Sequence, residues 1–230
     1  MTPRSRFIAI EGLIGVGKTS LCRILESEWN ARLVLEPCDD NPFLASFYGD
    51  RERFAFPAQM FYMASRYSQQ MDLHQPDLFH DVVISDYIWQ KDRLFAEETL
   101  TGDEMALYDR FAHLLSGRIA RPDFVVFLDA PTEVVRSRIS RRAIEAEQVI
   151  EGDYLDSLRR NYYRLWDTYT EAPVYVVDTT TIDYVGDTAA RARMLAMLEG
   201  WMNGEPTPDA PEAYRPSQGP QLRLFAGGKT

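Results

Sequence analysis

The sequence predicts an α/β fold in which a parallel sheet of about five strands is flanked by helices. Short apolar, β-branched runs recur along the chain, and longer amphipathic stretches separate them. The runs are Phe7–Ile10, Arg32–Leu35, Val82–Ser85, Phe124–Leu128 and Val174–Val177. One amphipathic stretch repeats its apolar residues at three- and four-residue steps, which is typical of a buried helix face. These residues are Leu155, Leu158, Tyr162, Leu165 and Tyr169.

Composition and charge exclude several classes of function. The 230-residue chain has a formal net charge of −10 at pH 7, whereas a protein that coats nucleic acid needs a basic face to neutralise phosphates. Cys22 and Cys38 are the only cysteines, and neither they nor the three histidines have zinc-like spacing. No apolar run is long enough to span a bilayer or to form a signal peptide. We therefore expect a cytoplasmic protein with no membrane or direct nucleic-acid contact.

A phosphate-binding loop follows the first predicted strand. Residues 12–19, GLIGVGKT, match the P-loop pattern GxxxxGK(S/T), and the helical run SLCRILESEW comes next. Glycines let backbone amides turn toward phosphate oxygens, and a helix N-terminus adds a positive dipole end. Lys18 can bridge the β- and γ-phosphates of ATP, and Thr19 can ligate Mg²⁺. The predicted nucleotide-binding residues are Gly12, Gly15, Val16, Gly17, Lys18, Thr19 and Ser20.

The P-loop is shared by kinases, GTPases and motors, so the acceptor of the phosphate must be inferred from other residues. Glu36 ends the second predicted strand, and Pro37 behind it favours an extended backbone there. Parallel α/β sheets bind ligands at this edge. The carboxylate can accept the proton of a hydroxyl that attacks γ-phosphate. The alternative is a glutamate that faces solvent, which is the commoner fate of such a residue.

Two aspartates are candidates for the acid on the metal side of the site. Asp86 closes the third predicted strand, where a carboxylate can reach Mg²⁺ directly or through water. Asp129 closes the fourth strand in the same way, but it precedes Ala-Pro and can be a turn residue. We rank Asp86 first.

An arginine-rich stretch follows the fourth strand. Arg138 and Arg142 are four residues apart, so they share one face of a helix. Such arginines can form a lid that closes over the transferring phosphoryl group. They can also be cations at a solvated helix end that offset its dipole, and the spacing alone favours this second interpretation.

These segments together resemble the deoxynucleoside kinase family over about residues 6–200. The resemblance rests on FIAIEG with the P-loop, Glu36-Pro37, NPFLASFYGDRERFAFPAQ, SDYIWQKDRLFA and RISRRAIEAEQVIEGDYL, in the family's order and at similar spacing. It implies a P-loop NTPase-type fold with an arginine-rich lid. It also implies transfer of the ATP γ-phosphate to the 5′-hydroxyl of a deoxynucleoside with Mg²⁺, by a homodimer.

The resemblance also implies a role for individual residues. Glu36 is similar to the family's general base, and Asp86 to the acid that organises Mg²⁺. Tyr48 and Glu147 match the pair that holds the sugar 3′-hydroxyl. The residues that match the base pocket are Gln59, Tyr62, Arg66 and Asp92.

The base pocket bears on the choice of nucleoside. The amide of Gln59 donates and accepts and is therefore permissive, whereas Arg66 and Asp92 add fixed donors and an acceptor suited to adenine, guanine or cytosine. Thymidine-preferring members of the family lack that pair. Tyr62 can stack on the base or restrict it. The resemblance thus implies a purine deoxynucleoside or deoxycytidine, with the purines slightly ahead.

Two positions depart from the family pattern. Tyr87 stands where an arginine often follows the acid of the third strand, and Ile144 stands where the lid usually carries another arginine. Losing both would remove two cations near the reacting phosphate. Arg138 and Arg142 would then carry more of the charge, or turnover would be slow.

Two other functions remain open. Thymidylate kinases share the P-loop, a Glu-Pro after the second strand and an arginine-rich lid, but they usually have an arginine where this chain has Tyr87. A catalytically weak nucleotide-binding sensor or scaffold is the second alternative, and the two missing arginines are its only support.

The sequence after Trp201 changes in composition. Prolines, glycines and acidic residues leave too few apolar groups to offset the entropy of ordering. We therefore predict a kinase-like domain over residues 1–202 and a flexible tail over 203–230. Within the tail, QLRLF at 221–225 resembles the bacterial sliding-clamp-binding pentapeptide, except at Arg223. Its anchors would be Gln221, Leu222, Leu224 and Phe225, although a tail can also end in apolar residues by chance.

Overall fold

The computed structural model of the chain describes residues 5–38, 40–75, 77–117, 119–142, 144 and 147–215. In this part of the chain one sheet of five parallel strands has the order β2-β3-β1-β4-β5. The strands are β1 (Arg6–Gly12), β2 (Arg32–Val34), β3 (Val82–Ser85), β4 (Phe124–Asp129) and β5 (Val174–Asp178). The α/β fold predicted from the sequence is therefore confirmed.

Helices cover the sheet, which explains why its central strands are continuous apolar runs. Every residue of β4 is buried, as is every residue of β1 except the first. The helices are α1 (Lys18–Trp29), α2 (Leu44–Gly49), α3 (Arg51–Leu73), α4 (Lys91–Thr99), α5 (Gly102–Leu115), α6 (Thr132–Arg142), α7 (Gly152–Thr168) and α8 (Thr188–Asn203). None of the helices in the described ranges is both long and apolar enough to cross a membrane.

Helix α7 carries the predicted apolar face with two exceptions, because Leu165 and the C-cap residue Tyr169 are only partly buried. Leu155, Leu158 and Tyr162 are fully buried, as the spacing predicts. Trp166 completes this face inside the core, whereas Leu165 is only partly buried. Tyr162 and Trp166 stack on each other and contact Phe127 of β4, so the helix packs against the sheet through aromatic rings.

The strand order places the candidate site. Because β2, β3 and β1 are neighbours and run parallel, their carboxyl ends meet at one edge of the sheet. The P-loop follows β1, Glu36 follows β2 and Asp86 follows β3. Three segments that are far apart in sequence therefore open into one crevice.

The chain after α8 returns to the sheet as far as residue 215. The backbone N–H of Tyr214 donates to the carbonyl of Val174 at 2.6 Å, and its hydroxyl donates to Asp167 at 2.8 Å. Tyr175 and Ala213 form an isolated antiparallel bridge. The first part of the predicted tail thus has contacts with β5 and α7. Residues 216–230, which include the peptide at 221–225, lie outside the described residues.

Candidate active site

The P-loop has the backbone shape that its glycines allow. Gly12, Gly15 and Gly17 have φ values of 146°, 79° and 117°, which L-residues with a side chain rarely adopt. A Cβ atom on Gly12 would lie 2.4 Å from the carbonyl oxygen of Leu128, and one on Gly17 would lie 2.3 Å from the hydroxyl of Tyr184. Helix α1 begins directly after this loop, so its free N–H groups face the place where phosphates would bind.

Lys18 and Thr19 extend from the end of the P-loop. The ammonium of Lys18 donates to the carbonyls of Gly12 and Leu13 at 2.9 and 3.0 Å, so it lies across the loop. Desolvation lowers the pKa of Lys18, and the nearby charge of Lys91 lowers it further. The hydroxyl of Thr19 donates to Asp86 at 3.1 Å. A hydroxyl and a carboxylate that meet at a phosphate-binding loop are the ligand types that Mg²⁺ prefers.

Asp86 links the three strand ends. One carboxylate oxygen accepts from Thr19, and the other accepts from the backbone N–H of Glu36 at 2.7 Å. Asp129 has different contacts, because Arg159 donates to both of its oxygens at 2.7 and 2.6 Å and Tyr163 donates to it at 2.8 Å. This arrangement favours Asp86 over Asp129 as the metal-side acid.

Glu36 points inward, toward Arg66 and Lys91, and not into the solvent. Its side chain is only 11% exposed. The Oε1 atom accepts from the Nε of Arg66 at 3.0 Å and from a second nitrogen of the same guanidinium, while Oε2 accepts from the Nζ of Lys91 at 2.9 Å. Burial alone would raise the pKa of Glu36, but Lys91 and Arg66 outweigh it and hold that pKa well below its usual range. Glu36 is therefore a carboxylate at neutral pH.

The predicted base-pocket residues meet around Arg66. Its guanidinium lies between Glu36 and Asp92 and donates to both. Gln59 donates to the backbone carbonyl of Asp92 at 2.8 Å. The ring of Tyr62 has its centroid 5.1 Å from the guanidinium carbon. Burial alone would lower the pKa of Arg66, but the two carboxylates raise it above its usual value, so the guanidinium keeps its charge.

The sugar-side residues also lie together. Burial raises the pKa of Tyr48, and the neighbouring groups of Tyr154 and Glu147 raise it further. Oε1 of Glu147 lies 3.4 Å from Arg142, whereas its Oε2 is buried and has no hydrogen-bond partner among the residues that the structure describes. A buried carboxylate oxygen without a donor is costly. It can be satisfied by a hydroxyl group of a bound molecule.

The two predicted lid arginines have different environments. Arg138 donates to the carbonyl of Val16 in the P-loop at 3.0 Å and to the hydroxyl and carbonyl of Thr179 at 2.9 and 2.5 Å. It therefore holds the back of the P-loop against the segment after β5. Arg142 is 52% exposed and contacts Glu147. Of the two interpretations, a cation at a solvated helix end fits Arg142 but does not fit Arg138.

The structure also shows the environment of Tyr87 and Ile144, the two positions that depart from the family pattern. Tyr87 is buried, and its hydroxyl donates to Gln69 of α3 at 2.5 Å. Ile144 is 37% exposed. Neither residue brings a charge to the crevice.

Three residues of this site were not predicted from the sequence. Glu11 is fully buried and accepts from the N–H of Ile88 and the hydroxyl of Tyr162, both at 2.8 Å. Lys91 is buried beside Glu36, and the hydroxyl of Tyr108 donates to Asp92 at 2.8 Å. The signal for Glu11 was a charged residue inside an apolar strand. Tyr108 lies on a distant helix and had no local signal.

Comparison with known proteins agrees with this geometry. A sequence model of the family described as deoxynucleoside kinase matches residues 8–201. The deoxyguanosine kinase of Bacillus subtilis is 34% identical over 184 residues, which cover 78% of this chain and 89% of that protein. The deoxyguanosine kinase of Lactobacillus acidophilus is 28% identical over 205 residues, with coverage of 83% and 88%.

A solved structure shows the same fold. Deoxyadenosine kinase from M. mycoides with bound dATP superposes with a TM-score of 0.72 at 21% identity, covering 84% of this chain and 99% of that chain. The predicted P-loop NTPase-type fold is confirmed by this likeness. The family match and the Bacillus subtilis relative extend the agreement from fold to sequence. The chain therefore belongs to the deoxynucleoside kinase family, whose members are ATP-dependent phosphotransferases.

Proposed function

We propose that the protein transfers the γ-phosphate of ATP to the 5′-hydroxyl of a purine deoxynucleoside or deoxycytidine. The observation that carries this proposal is the inward-facing carboxylate of Glu36, which shares one crevice with the P-loop. Only 11% of that side chain is exposed, and two cations orient it. Such a carboxylate can hold a hydroxyl in line with a phosphate bound at residues 12–19.

The chain's own residues supply most of the chemistry. The P-loop amides and Lys18 bind the triphosphate, while Thr19 and Asp86 would hold Mg²⁺. The metal ion, when bound, neutralises charge on the phosphate oxygens. As the 5′-oxygen bonds to γ-phosphorus and the bond to the β–γ bridging oxygen breaks, the hydroxyl proton passes to Glu36. A carboxylate with so low a pKa is a weak base, so its main contribution is to position the hydroxyl.

The base pocket supports a purine or deoxycytidine. Three donors of Arg66 are committed to Glu36 and Asp92, which leaves its remaining N–H groups and the Oε1 of Gln59 for the base edge. Oε2 of Glu147, which no described residue hydrogen-bonds, and the nearby Tyr48 fit a 3′-hydroxyl. Because two relatives are named deoxyguanosine kinases, deoxyguanosine is the first substrate to test.

A coupled assay of ADP release tests the function. We expect turnover with deoxyguanosine, deoxyadenosine or deoxycytidine that exceeds turnover with thymidine, because Arg66 and Asp92 are polar groups that thymine would leave unmatched. Comparing turnover of ribonucleosides with turnover of deoxynucleosides measures how strongly the protein discriminates between the two sugars. Turnover with dTMP but with no nucleoside would indicate a thymidylate kinase. Binding of ATP with no turnover on any acceptor would indicate a sensor or scaffold.

The assembly and cellular role belong to the same proposal. Leu107, Phe111 and Leu114 form one stripe on α5, and they are 42%, 40% and 75% exposed. We place the interface of a homodimer on this stripe, since such exposed apolar faces mark association surfaces. A role in nucleotide salvage in the cytoplasm follows from phosphorylating a preformed nucleoside with ATP.

The peptide at 221–225 is proposed to bind the bacterial sliding clamp. A pull-down with purified clamp should retain the full chain, and Leu224→Ala with Phe225→Ala should lose retention because the apolar anchors would be removed. Leu78→Ala is the matched control, because Leu78 is a 73% exposed leucine of the folded domain that lies outside the stripe on α5. Equal retention of the double variant would contradict clamp binding through this peptide.

A further inference from the structure

A lysine lies where the proposed reaction has a shortage of positive charge. Tyr87 follows Asp86, but its hydroxyl contacts Gln69 and it carries no charge into the crevice. Four residues later, Lys91 begins α4. Its side chain is 5% exposed, and its Nζ atom lies 2.9 Å from Oε2 of Glu36.

The turn between β3 and α4 aims Lys91 at the crevice. The N–H of Lys91 donates to the carbonyl of Ile88 at 3.2 Å, and the N–H of Ile88 donates to Glu11 at 2.8 Å. This turn is therefore tied to the end of β1, just before the P-loop. The side chain of Lys91 lies between that strand end and Glu36.

Nearby charges keep Lys91 protonated. Burial alone would lower its pKa, but Glu36 and then Glu11 outweigh burial and raise the pKa above its usual value. Lys91 is also close enough to lower the pKa of Lys18. The ammonium groups of Lys18 and Lys91 are thus close enough to interact electrostatically.

The two oxygens of Glu36 have unequal partners. Oε1 accepts two hydrogen bonds from Arg66, whereas Oε2 accepts one from Lys91 and a long contact of 3.6 Å from the thiol of Cys38. Oε2 thus has the more available lone pair for a substrate proton. Lys91 is bound to that same oxygen.

We propose that Lys91 is a catalytic cation of the phosphoryl transfer. This inference rests on the proposed function. As the 5′-oxygen bonds to γ-phosphorus and the bond to the bridging oxygen breaks, the hydroxyl proton moves to Oε2 of Glu36. The carboxylate loses its charge in this step, and the ammonium of Lys91 donates instead to the oxygens of the transferring phosphoryl group. The leaving electron pair stays on ADP.

Three substitutions at Lys91 separate charge from position. Lys91→Met keeps the length without charge, and we expect kcat to fall by about 10²–10³-fold, the loss typical of one donor to developing charge. KM for ATP and for the deoxynucleoside should change little. Lys91→Gln can still donate to Glu36 but has no charge, so it should stay impaired. Lys91→Arg should recover most of the turnover.

Arg93→Met is the matched control for Lys91→Met. Arg93 lies two residues further along α4, is 54% exposed and pairs with Glu97 and Asp109 away from the crevice. The control removes the same formal charge and should keep wild-type kcat. Lys91→Gln with wild-type kcat would reduce Lys91 to a positioning residue and overturn the inference.

A binding measurement gives a readout without turnover. ADP with aluminium fluoride mimics the transferring phosphoryl group, so Lys91→Met should bind it at least about tenfold more weakly while binding ADP alone as well as wild type does. Equal binding of the mimic by both proteins would overturn the inference. If the wild-type protein turned over no deoxynucleoside but Lys91→Met still bound the mimic more weakly than wild type did, only the proposed acceptor would be contradicted.

Discussion

Replacing Glu36 with glutamine is expected to lower kcat by about 10²–10⁴-fold, because the carboxylate both positions the hydroxyl and accepts its proton. Glutamine has the same shape but cannot take the hydroxyl proton as a carboxylate does. The backbone N–H of Glu36 would still donate to Asp86, so the metal-side contacts should persist. ATP binding, measured with a fluorescent analogue, should therefore stay close to that of wild type.

Glu97→Gln is the control for this experiment. Glu97 is 53% exposed and pairs with Arg93 on the outer side of α4. Glu97→Gln also replaces a carboxylate with an amide, but outside the candidate site, so it should leave kcat unchanged. If Glu36→Gln kept more than about a tenth of wild-type kcat, a general base at this position would be contradicted.

Replacing Arg66 with methionine is expected to destabilise the fold by about 3–5 kcal/mol, the cost of removing one partner of a buried ion pair. Asp92 would stay buried, with Tyr108 and Gln59 as its remaining contacts, and Glu36 would keep only Lys91 as a cationic partner. Deoxynucleoside binding should also be lost, because Arg66 is the central residue of the proposed base pocket. Chemical denaturation and equilibrium binding measure the two effects separately.

A double variant tests whether the destabilisation comes from the uncompensated charge. Arg66→Met with Asp92→Leu removes both members of the pair, so its stability should exceed the value expected from adding the two single changes. Arg93→Met is again the control, since an exposed ion pair contributes only about 0–1 kcal/mol. Strict additivity of the Arg66 and Asp92 substitutions would contradict a coupled buried pair.

Two cations, Arg138 and Lys91, contact different parts of the candidate site. Arg138 donates to Val16 of the P-loop and to Thr179, while Lys91 donates to Glu36. The first is a predicted lid arginine, and the second is a lysine of α4. The shortage of charge implied by Tyr87 and Ile144 is therefore smaller than the sequence indicates.

Features that depend on local residues or on strand direction could be predicted from the sequence. The P-loop could be predicted because its glycine conformations, lysine and helix start are consecutive in the chain. Glu36 and Asp86 could be placed at the same edge of the sheet, because neighbouring parallel strands have their carboxyl ends at one edge. The five strands were recognised from apolar runs, which buried parallel strands require.

Which charged groups contact each other depends on how the helices pack against the sheet and could not be predicted. The sequence left Glu36 either catalytic or solvent-facing, and the packing of α3 and α4 placed Arg66 and Lys91 against its two oxygens. Asp86 and Asp129 have equivalent positions in sequence, and only their different partners separate them. Such contacts join residues tens of positions apart, so their geometry depends on how whole helices pack, which neither spacing nor periodicity specifies.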